Sequence, residues 1–322
     1  MRIIIDTDPG IDDALAILYL AASHDVEIVA VGSVHGNVPA EQGAANALRV
    51  LELAGLAEVP VAVGARRPLA QPLRTAEFVH GQDGLGGHAG EPARARPVAE
   101  SAAEQLVRLA RANPGELTLL ALAPLTNVAL ACLLEPELPR LLRSVVIMGG
   151  ALNVPGNITA HAEANIWHDP EAADLVLSAG CTNLTLATLD VTEGASADAA
   201  WLAGLAEIDD PRARFASALL DFYAGVYTNL FGHEACTLHD PLVAALALDP
   251  DLATYTSAPL AVELTGTHTR GQLVADLRGM TSDDNVRSSI SAKRCPARIA
   301  DTVDVPEFMD RLLNALRKPA SD

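Results

Sequence analysis

The sequence predicts an α/β fold: a single domain, residues 1–322, with a doubly wound, mostly parallel, Rossmann-like sheet and a small antiparallel extension. Two observations carry this. Apolar strand-like runs alternate with amphipathic helix-like runs along most of the chain. Half of the residues are hydrophobic, enough for a sizeable core, and no internal repeat or low-complexity linker divides the chain.

In order, residues 3–5 are a first strand and 27–34 a second, followed by a helix over 39–54. Residues 59–63 give a third strand. Residues 101–113 are helical and stop at Pro114-Gly115. Strand four is 117–122, followed by a helix over 125–135; strand five is 144–148, followed by Gly149-Gly150. Asp169 caps a helix over 170–179, with Pro170 at its first position. Strand six is 184–189. Residues 197–231 and 241–248 read as helical, 259–276 as two antiparallel strands, and 305–317 as a closing helix. Residues 64–100, rich in Pro, Gly, Ala and Arg, form a long functional loop inside the domain.

The formal net charge of −19 argues against a nucleic-acid partner, since phosphate neutralisation needs clustered Lys and Arg. A small neutral substrate is compatible with it. Cys132, Cys181, Cys236 and Cys295 are scattered without a C-x-x-C pair, as expected of reduced thiols in a cytoplasmic protein. No apolar run reaches the length of a membrane span.

The chemistry gathers at Asp6-Thr7-Asp8-Pro9-Gly10-Ile11-Asp12-Asp13. Four acids so close repel one another unless a cation or protons intervene. Carboxylate oxygens suit a hard divalent ion, Ca²⁺ or Mg²⁺. Asp12 and Asp13 fall at a helix start, where a capping role is the plainer reading. Asp6 and Asp8 end a strand that should be buried, which a cap does not explain. In open parallel sheets, ligands bind beyond the carboxyl ends of the strands. The polar residues there are His35, Asn37, Thr126, Asn127, Asn157, Glu163, Asn165, Asp190 and His239-Asp240. Each alone has an ordinary explanation as a turn, cap or core residue; their accumulation on one rim does not. His-Asp-Pro occurs twice, at 168–170 and 239–241, and Asp169 reads as a helix cap only.

The first motif resembles the N-terminal signature of the inosine-uridine nucleoside hydrolases, Ca²⁺-dependent N-ribohydrolases. The likeness continues through Gly36-Asn37, His80-Gly81, Ala123-Pro124-Leu125-Thr126-Asn127, Met148-Gly149-Gly150, Gly156-Asn157, Glu163-Ala164-Asn165, Asp169-Pro170-Glu171 and His239-Asp240-Pro241. The resemblance implies the nucleoside hydrolase fold, Ca²⁺ as cofactor, a ribonucleoside substrate, and a homodimer or homotetramer. Carried over by motif, Asp8, Asp13 and Asp240 would bind the ion with the carbonyl of Leu122, and Asp6 would lie in its vicinity. Asp12, Asn37, Asn157, Glu163, Asn165 and Asp240 would hold the ribose. His80, Tyr227 and His239 would lie towards the base. Asp8 is the expected general base and His239 the expected acid for the leaving base.

Departures from the family pattern fall at Ala164, where many members have Phe, at Glu193, where His is common, and at Phe231, where some carry Arg. They bear on base preference; uridine and inosine are favoured. Segments 74–90 and 223–237 are candidate lids. Three alternatives stand beside this reading: an enzyme acting on another N-ribosyl compound, a non-catalytic nucleoside or ribose sensor, and a haloacid-dehalogenase-type phosphatase suggested by Asp6-x-Asp8. The last needs a lysine from a later motif, and Lys293 and Lys318 are the only lysines.

Overall fold

The structure is a computed structural model that describes residues 1–232, 236–278 and 294–317. In chain order the elements are β1 (Arg2–Thr7), α1 (Ile11–Ala21), β2 (Glu27–Ser33), α2 (Ala40–Leu53), β3 (Val61–Val63), α3 (Glu77–His80), α4 (Ala102–Ala112), β4 (Leu117–Ala121), α5 (Thr126–Leu134), α6 (Leu138–Leu141) and β5 (Ser144–Met148). There follow α7 (Ala164–His168), α8 (Pro170–Ser178), β6 (Leu184–Ala187), α9 (Leu189–Thr192), β7 (Ser196–Ala197), α10 (Ala199–Ala206), α11 (Pro211–Phe231), β8 (Cys236–Thr237) and α12 (His239–Leu248). The chain closes with β9 (Ala253–Ala258), β10 (Leu260–Val262), β11 (Leu273–Ala275), β12 (Ala297–Val303) and α13 (Val305–Arg317).

Successive side chains of a strand point to opposite faces, and β1 shows the consequence. Ile3 and Ile5 enter one core with α1, α2 and α12; Ile4 enters a second with α4, α5 and α8. Burial of each such side chain contributes about 1.5–3 kcal/mol. The main sheet runs in the order β3-β2-β1-β4-β5-β6-β12-β9. All its neighbours pair in parallel except β9, which runs antiparallel to β12 at the edge. Strand order reverses between β1 and β4, so the crevice beyond their carboxyl ends is the switch point where such sheets bind ligands. The Asp6–Asp13 run lies there.

The predicted α/β class, the six parallel strands and the antiparallel pair in 259–276 are present. Two strands of the main sheet, β9 and β12, were not predicted. β9 alternates Ala-Thr-Tyr-Thr-Ser-Ala and leaves one side to solvent, so it lacks an apolar run. The helical stretch at 197–231 is two helices, because Asp210 caps a new helix with Pro211 at its first position. Strand six stops at Ala187, and Leu189 opens the short α9. Among the described residues, no helix is long and apolar enough to cross a membrane. Lys293, Lys318 and residues 233–235 lie outside the described residues, as does the side chain of Phe231.

Candidate active site

The floor of the site is the turn from β1 into α1. Asp8-Pro9-Gly10 reverses the chain, and the first turn of α1 carries Asp12 and Asp13. The second contribution is the loop after β2. A Cβ on Gly36 would lie 1.8 Å from Asp8 Oδ2, so only glycine lets that loop approach. Its neighbour Asn37 then donates from its backbone N to Asp8 Oδ2 at 2.6 Å and from Nδ2 to Asp13 Oδ2 at 3.0 Å. Thr7 donates its hydroxyl to Asp13 Oδ1, and Gly10 N donates to Oδ2 at 2.9 Å. The third contribution is α12, packed along α1, with Asp240 in its first turn. Two helix N-termini thus converge on the acids, where their positive ends favour negative charge.

Carboxylate oxygens of Asp12, Asp13 and Asp240 lie within 4.8 Å of one another, all three residues buried. Asp8 sits beside them and raises the pKa of Asp240 through its charge. Burial, then mutual repulsion, pushes Asp8 and Asp240 well above the usual carboxylate range and Asp12 to about 8. Asp13 is also raised by burial, against the hydrogen bonds from Thr7 and Gly10. The carboxyl groups of Asp13 and Asp240 meet each other directly, a contact that two ionised acids cannot keep. The donors are all oxygen, as a hard divalent cation requires, and a cation here would relieve the repulsion. The residues therefore fit a metal ion.

Asp6 faces away from this group. Its Oδ1 accepts from Asn127 Nδ2 at 2.7 Å, and its Oδ2 is buried with no hydrogen-bond partner. Burial raises its pKa to about 7. The carbonyl of Leu122, just past β4, accepts from Asn165 Nδ2 at 2.9 Å and keeps a second lone pair.

Above the floor lies a cavity of ≈ 540 Å³ lined by Asp12, Asn37, His80, Leu122, Asn157, Glu163, Asn165, Tyr227, His239 and Asp240, among others. Such a volume suits a nucleoside-sized ligand. Every predicted substrate residue is therefore on one surface. Glu163 is held by three backbone donors, Asn165 N at 2.8 Å, Gly150 N at 2.8 Å and Ile166 N at 3.1 Å, while burial raises its pKa. Asn157 Oδ1 accepts from Ala164 N at 2.9 Å.

His80 Nδ1 accepts from Ile11 N at 3.2 Å, so a neutral ring carries its proton on Nε2. His239 Nδ1 meets the Thr192 hydroxyl at 2.8 Å. Burial lowers the pKa of His80 to about 3 and of His239 to about 4, so both rings are neutral near pH 7. Tyr223 stacks obliquely on His80 at 5.4 Å and edge-on against Tyr227 at 4.9 Å. Tyr227 also bonds to Thr237.

Several lining residues were not predicted: Met148, His168 and Ser196; Tyr223, Thr237 and, at the mouth, Phe78 were covered only as parts of the candidate lids. Helical spacing could have found His168, which stands three and four residues after Asn165 and Ala164 on α7. Asp169 proves to be more than a cap. It accepts from Ala172 N at 3.1 Å as a cap should, and its Oδ2 also takes Thr126 Oγ1 at 2.7 Å and Leu69 N at 2.9 Å. Glu193 is exposed at the cavity edge and Ala164 lines the wall.

A floor of carboxylates and a wall of amides suit a sugar, and the histidines and tyrosines beyond suit a heterocycle. The class this defines is a hydrolase of N-glycosidic bonds. Sequence comparison narrows it: the chain belongs to the family of inosine-uridine preferring nucleoside hydrolases, whose model matches residues 3–310. It is 37% identical over 322 residues to a probable uridine nucleosidase 2 of Arabidopsis thaliana, covering 98% of each chain. It is 34% identical over 319 residues to the inosine-uridine preferring nucleoside hydrolase of Crithidia fasciculata, again covering 98% of each. Among solved structures, a plant nucleoside hydrolase superposes with a TM-score of 0.93 at 33% identity, covering 99% of each chain. A purine-preferring ribonucleoside hydrolase from Gardnerella vaginalis gives 0.89 at 30% identity, covering 98% of each. The protein is a ribonucleoside hydrolase.

Proposed function

We propose that the protein cleaves uridine and inosine to ribose and free base with Ca²⁺ as its cofactor. The observation that carries this is the group of Asp12, Asp13 and Asp240 at the floor of a nucleoside-sized cavity. Asp8, Asp13 and Asp240 would hold the ion with the carbonyl oxygen of Leu122; Asp6, expected in the ion's vicinity, is turned to Asn127 instead and takes no part. When bound, the ion supplies Lewis acidity to oxygens beside it and neutralises the crowded acids. Mg²⁺ is the less suitable occupant, since it demands near-ideal octahedral geometry and keeps several waters.

The chain's own groups do the rest. Asp12, Asn37 and Asp240 grip the 2′- and 3′-hydroxyls, and Asn157, Glu163 and Asn165 line the rest of the sugar. Asp8, beside the attacking water, takes a proton from it. Oxygen bonds to C1′ as the C1′–N bond breaks, and that electron pair leaves with the base. The positive charge that develops on the sugar is stabilised by Asp12 and Glu163. Water attacks opposite the base, so the anomeric configuration inverts. His239, the leaving-group acid of this reading, faces the base with a ring that is neutral near pH 7. It can hydrogen-bond the base and would have to take up a proton before passing one on; His80 adds a second ring donor, and Tyr227 covers the ring.

Segment 64–100 and, within 223–237, the described residues 223–232 and 236–237 act as lids. Within the first, Ala65, Leu69, Gln71 and Ala76 are tied down by hydrogen bonds, which leaves the exposed face of α3 and Phe78, 61% exposed, to close over the mouth. The protein works in the cytoplasm as a homo-oligomer.

The test is a nucleoside panel with free ribose measured before and after EGTA, followed by return of Ca²⁺. Release from uridine and inosine that EGTA abolishes and Ca²⁺ restores supports the reading. Release unaffected by EGTA contradicts the metal role.

A further inference from the structure

Two parts of the site that lie far apart in the chain meet on one face of α2. Gln42, Asn46 and Arg49 stand at positions i, i+4 and i+7 and so share that face. Arg49 Nε donates to the carbonyl of Ala89 at 3.2 Å. Gln42 Nε2 donates to Asn46 Oδ1 at 2.9 Å and reaches the carbonyl of Asp83 at 3.4 Å. Asn46 is buried, at 1% exposure. Its Nδ2 donates to the carbonyl of Pro9 at 2.9 Å and to the carbonyl of Asp83 at 2.8 Å. Carbonyls only accept, so the atom between them must carry two hydrogens, as an amide nitrogen does. Two glycines let the parts approach. A Cβ on Gly43 would come within 3.2 Å of the Pro9 ring. One on Gly84 would come within 2.8 Å of Asn46 Nδ2 and 3.1 Å of the Pro9 carbonyl oxygen.

Each of the two carbonyls belongs to a stiff unit. Pro9 lies inside the turn bounded by Asp8 and Asp13, whose carboxylates are held by Asn37 and Gly10. An ion on Asp8 and Asp13 therefore fixes Pro9 as well. On the other side, the Asp83 carboxylate gathers the backbone N–H groups of Leu85 at 3.0 Å, Gly87 at 2.9 Å and Ala89 at 3.1 Å. Gly86 N donates to the carbonyl of His80 at 2.9 Å, so the loop carries that histidine with it. The Ile11–His80 bond joins the same two units from the cavity side, but meets the loop only at its start. Resting on the metal role proposed above, we infer that Asn46 is a positioning residue that ties the metal turn to the 81–90 loop. Occupation of the acids is felt in the loop through this amide, and the loop in turn holds His80 at the base pocket. Residues 81–90 are thus the clamped part of segment 64–100, and α3 is the part left to move.

The experiment is amide hydrogen exchange on the whole chain, in EGTA and in saturating Ca²⁺, for the wild type, Asn46→Leu and Leu51→Ala. Leucine fills the space of asparagine without a donor. Leu51 is buried on the same helix with an apolar side chain, so Leu51→Ala weakens α2 and breaks none of these bonds. In the wild type, Ca²⁺ is expected to slow exchange at Leu85, Gly87 and Ala89 by ~10-fold or more, together with residues 8–13. In Asn46→Leu, protection of 8–13 is expected to remain while that of 85–89 shrinks below ~3-fold. Its kcat/KM for uridine at saturating Ca²⁺ is expected to fall ~10-fold, as His80 loses its setting. In Leu51→Ala, the Ca²⁺-dependent protection of 85–89 is expected to persist. Unchanged protection of 85–89 in Asn46→Leu, or its equal loss in Leu51→Ala, would overturn the assignment. If Asn46→Leu does not fold, Asn46→Ser, too short to reach both carbonyls, takes its place with the same expectations. A wild type that protects 8–13 without 85–89 overturns the assignment outright. Ca²⁺ that protects no amide of 8–13 in the wild type defeats the metal reading, and this inference with it.

Discussion

The backbone N–H of Ile11 donates to Nδ1 of His80 across 3.2 Å, so the helix that carries Asp12 and Asp13 also orients a histidine of the base pocket. Acids and imidazole are thereby coupled through one turn of α1. His80→Ala removes the acceptor and leaves a buried N–H unpaired, which costs about 1–3 kcal/mol. Urea unfolding should show that loss, and uridine turnover should fall by on the order of 10²-fold, the scale for removing a positioned donor. An unchanged unfolding midpoint would contradict the bond.

Asp13 takes hydrogen bonds from Thr7, Gly10 and Asn37 and belongs to the buried acid group. Asp13→Ala is expected to abolish detectable Ca²⁺ binding by calorimetry and to reduce turnover by on the order of 10³-fold or more. Near-normal affinity for the ion would remove Asp13 from the metal set.

Asp240 is held against its own kind. Asp240→Asn should lower activity yet raise the melting temperature of the EGTA-treated protein, by about 2 °C per kcal/mol of repulsion relieved. The same substitution should abolish the rise in melting temperature that Ca²⁺ gives the wild type. A metal-free variant less stable than the metal-free wild type would speak against repulsion at this site.

The acids also set a pH dependence. Burial pushes Asp6 to about 7 and Asp12 to about 8, far above an ordinary aspartate. The folded metal-free protein thus binds protons that the unfolded chain does not, so its stability falls as pH rises through those values. Between pH 7.5 and 8.5 the buried histidines are neutral in the folded state and nearly so in the unfolded chain, and contribute little. Urea unfolding in EGTA should weaken steadily over that window, whereas the Ca²⁺-loaded protein should not. A flat metal-free profile would contradict the shifts.

Asp169 ties Leu69 and Thr126 to the start of α8. Asp169→Ala should cost about 2 kcal/mol, from one lost cap and unpaired donors. Amide hydrogen exchange should quicken in residues 65–76 well before the rest of the sheet. Uniform acceleration would place the effect elsewhere.

Much of the fold and floor was legible because the signals were improbable for bland structure. Asp6, Asp8, Asp12 and Asp13 between two apolar runs demand an explanation, and β1 supplies one by ending at the switch point. Asp240 and Glu163 were legible only through motifs, since a single acid at a helix start is ordinary. Thr7 and Thr192 were not legible: a hydroxyl in a strand or short helix carries no periodic signal, and only the folded geometry aims it at Asp13 or His239. β9 was missed because polar alternation at a sheet edge is weaker than an apolar run, and β12, one strand in from that edge, because Arg298, Asp301 and Thr302 break up its apolar residues.

The floor joins the beginning of the polypeptide to a residue far along it, because α1 and α12 lie side by side while Asp8 and Asp240 are separated by most of the sequence. During synthesis the acidic turn leaves the ribosome first and must wait, uncompensated, for its last partner. Metal uptake is thus tied to the arrival of α12, and a product lacking it would be left without Asp240 to close the group.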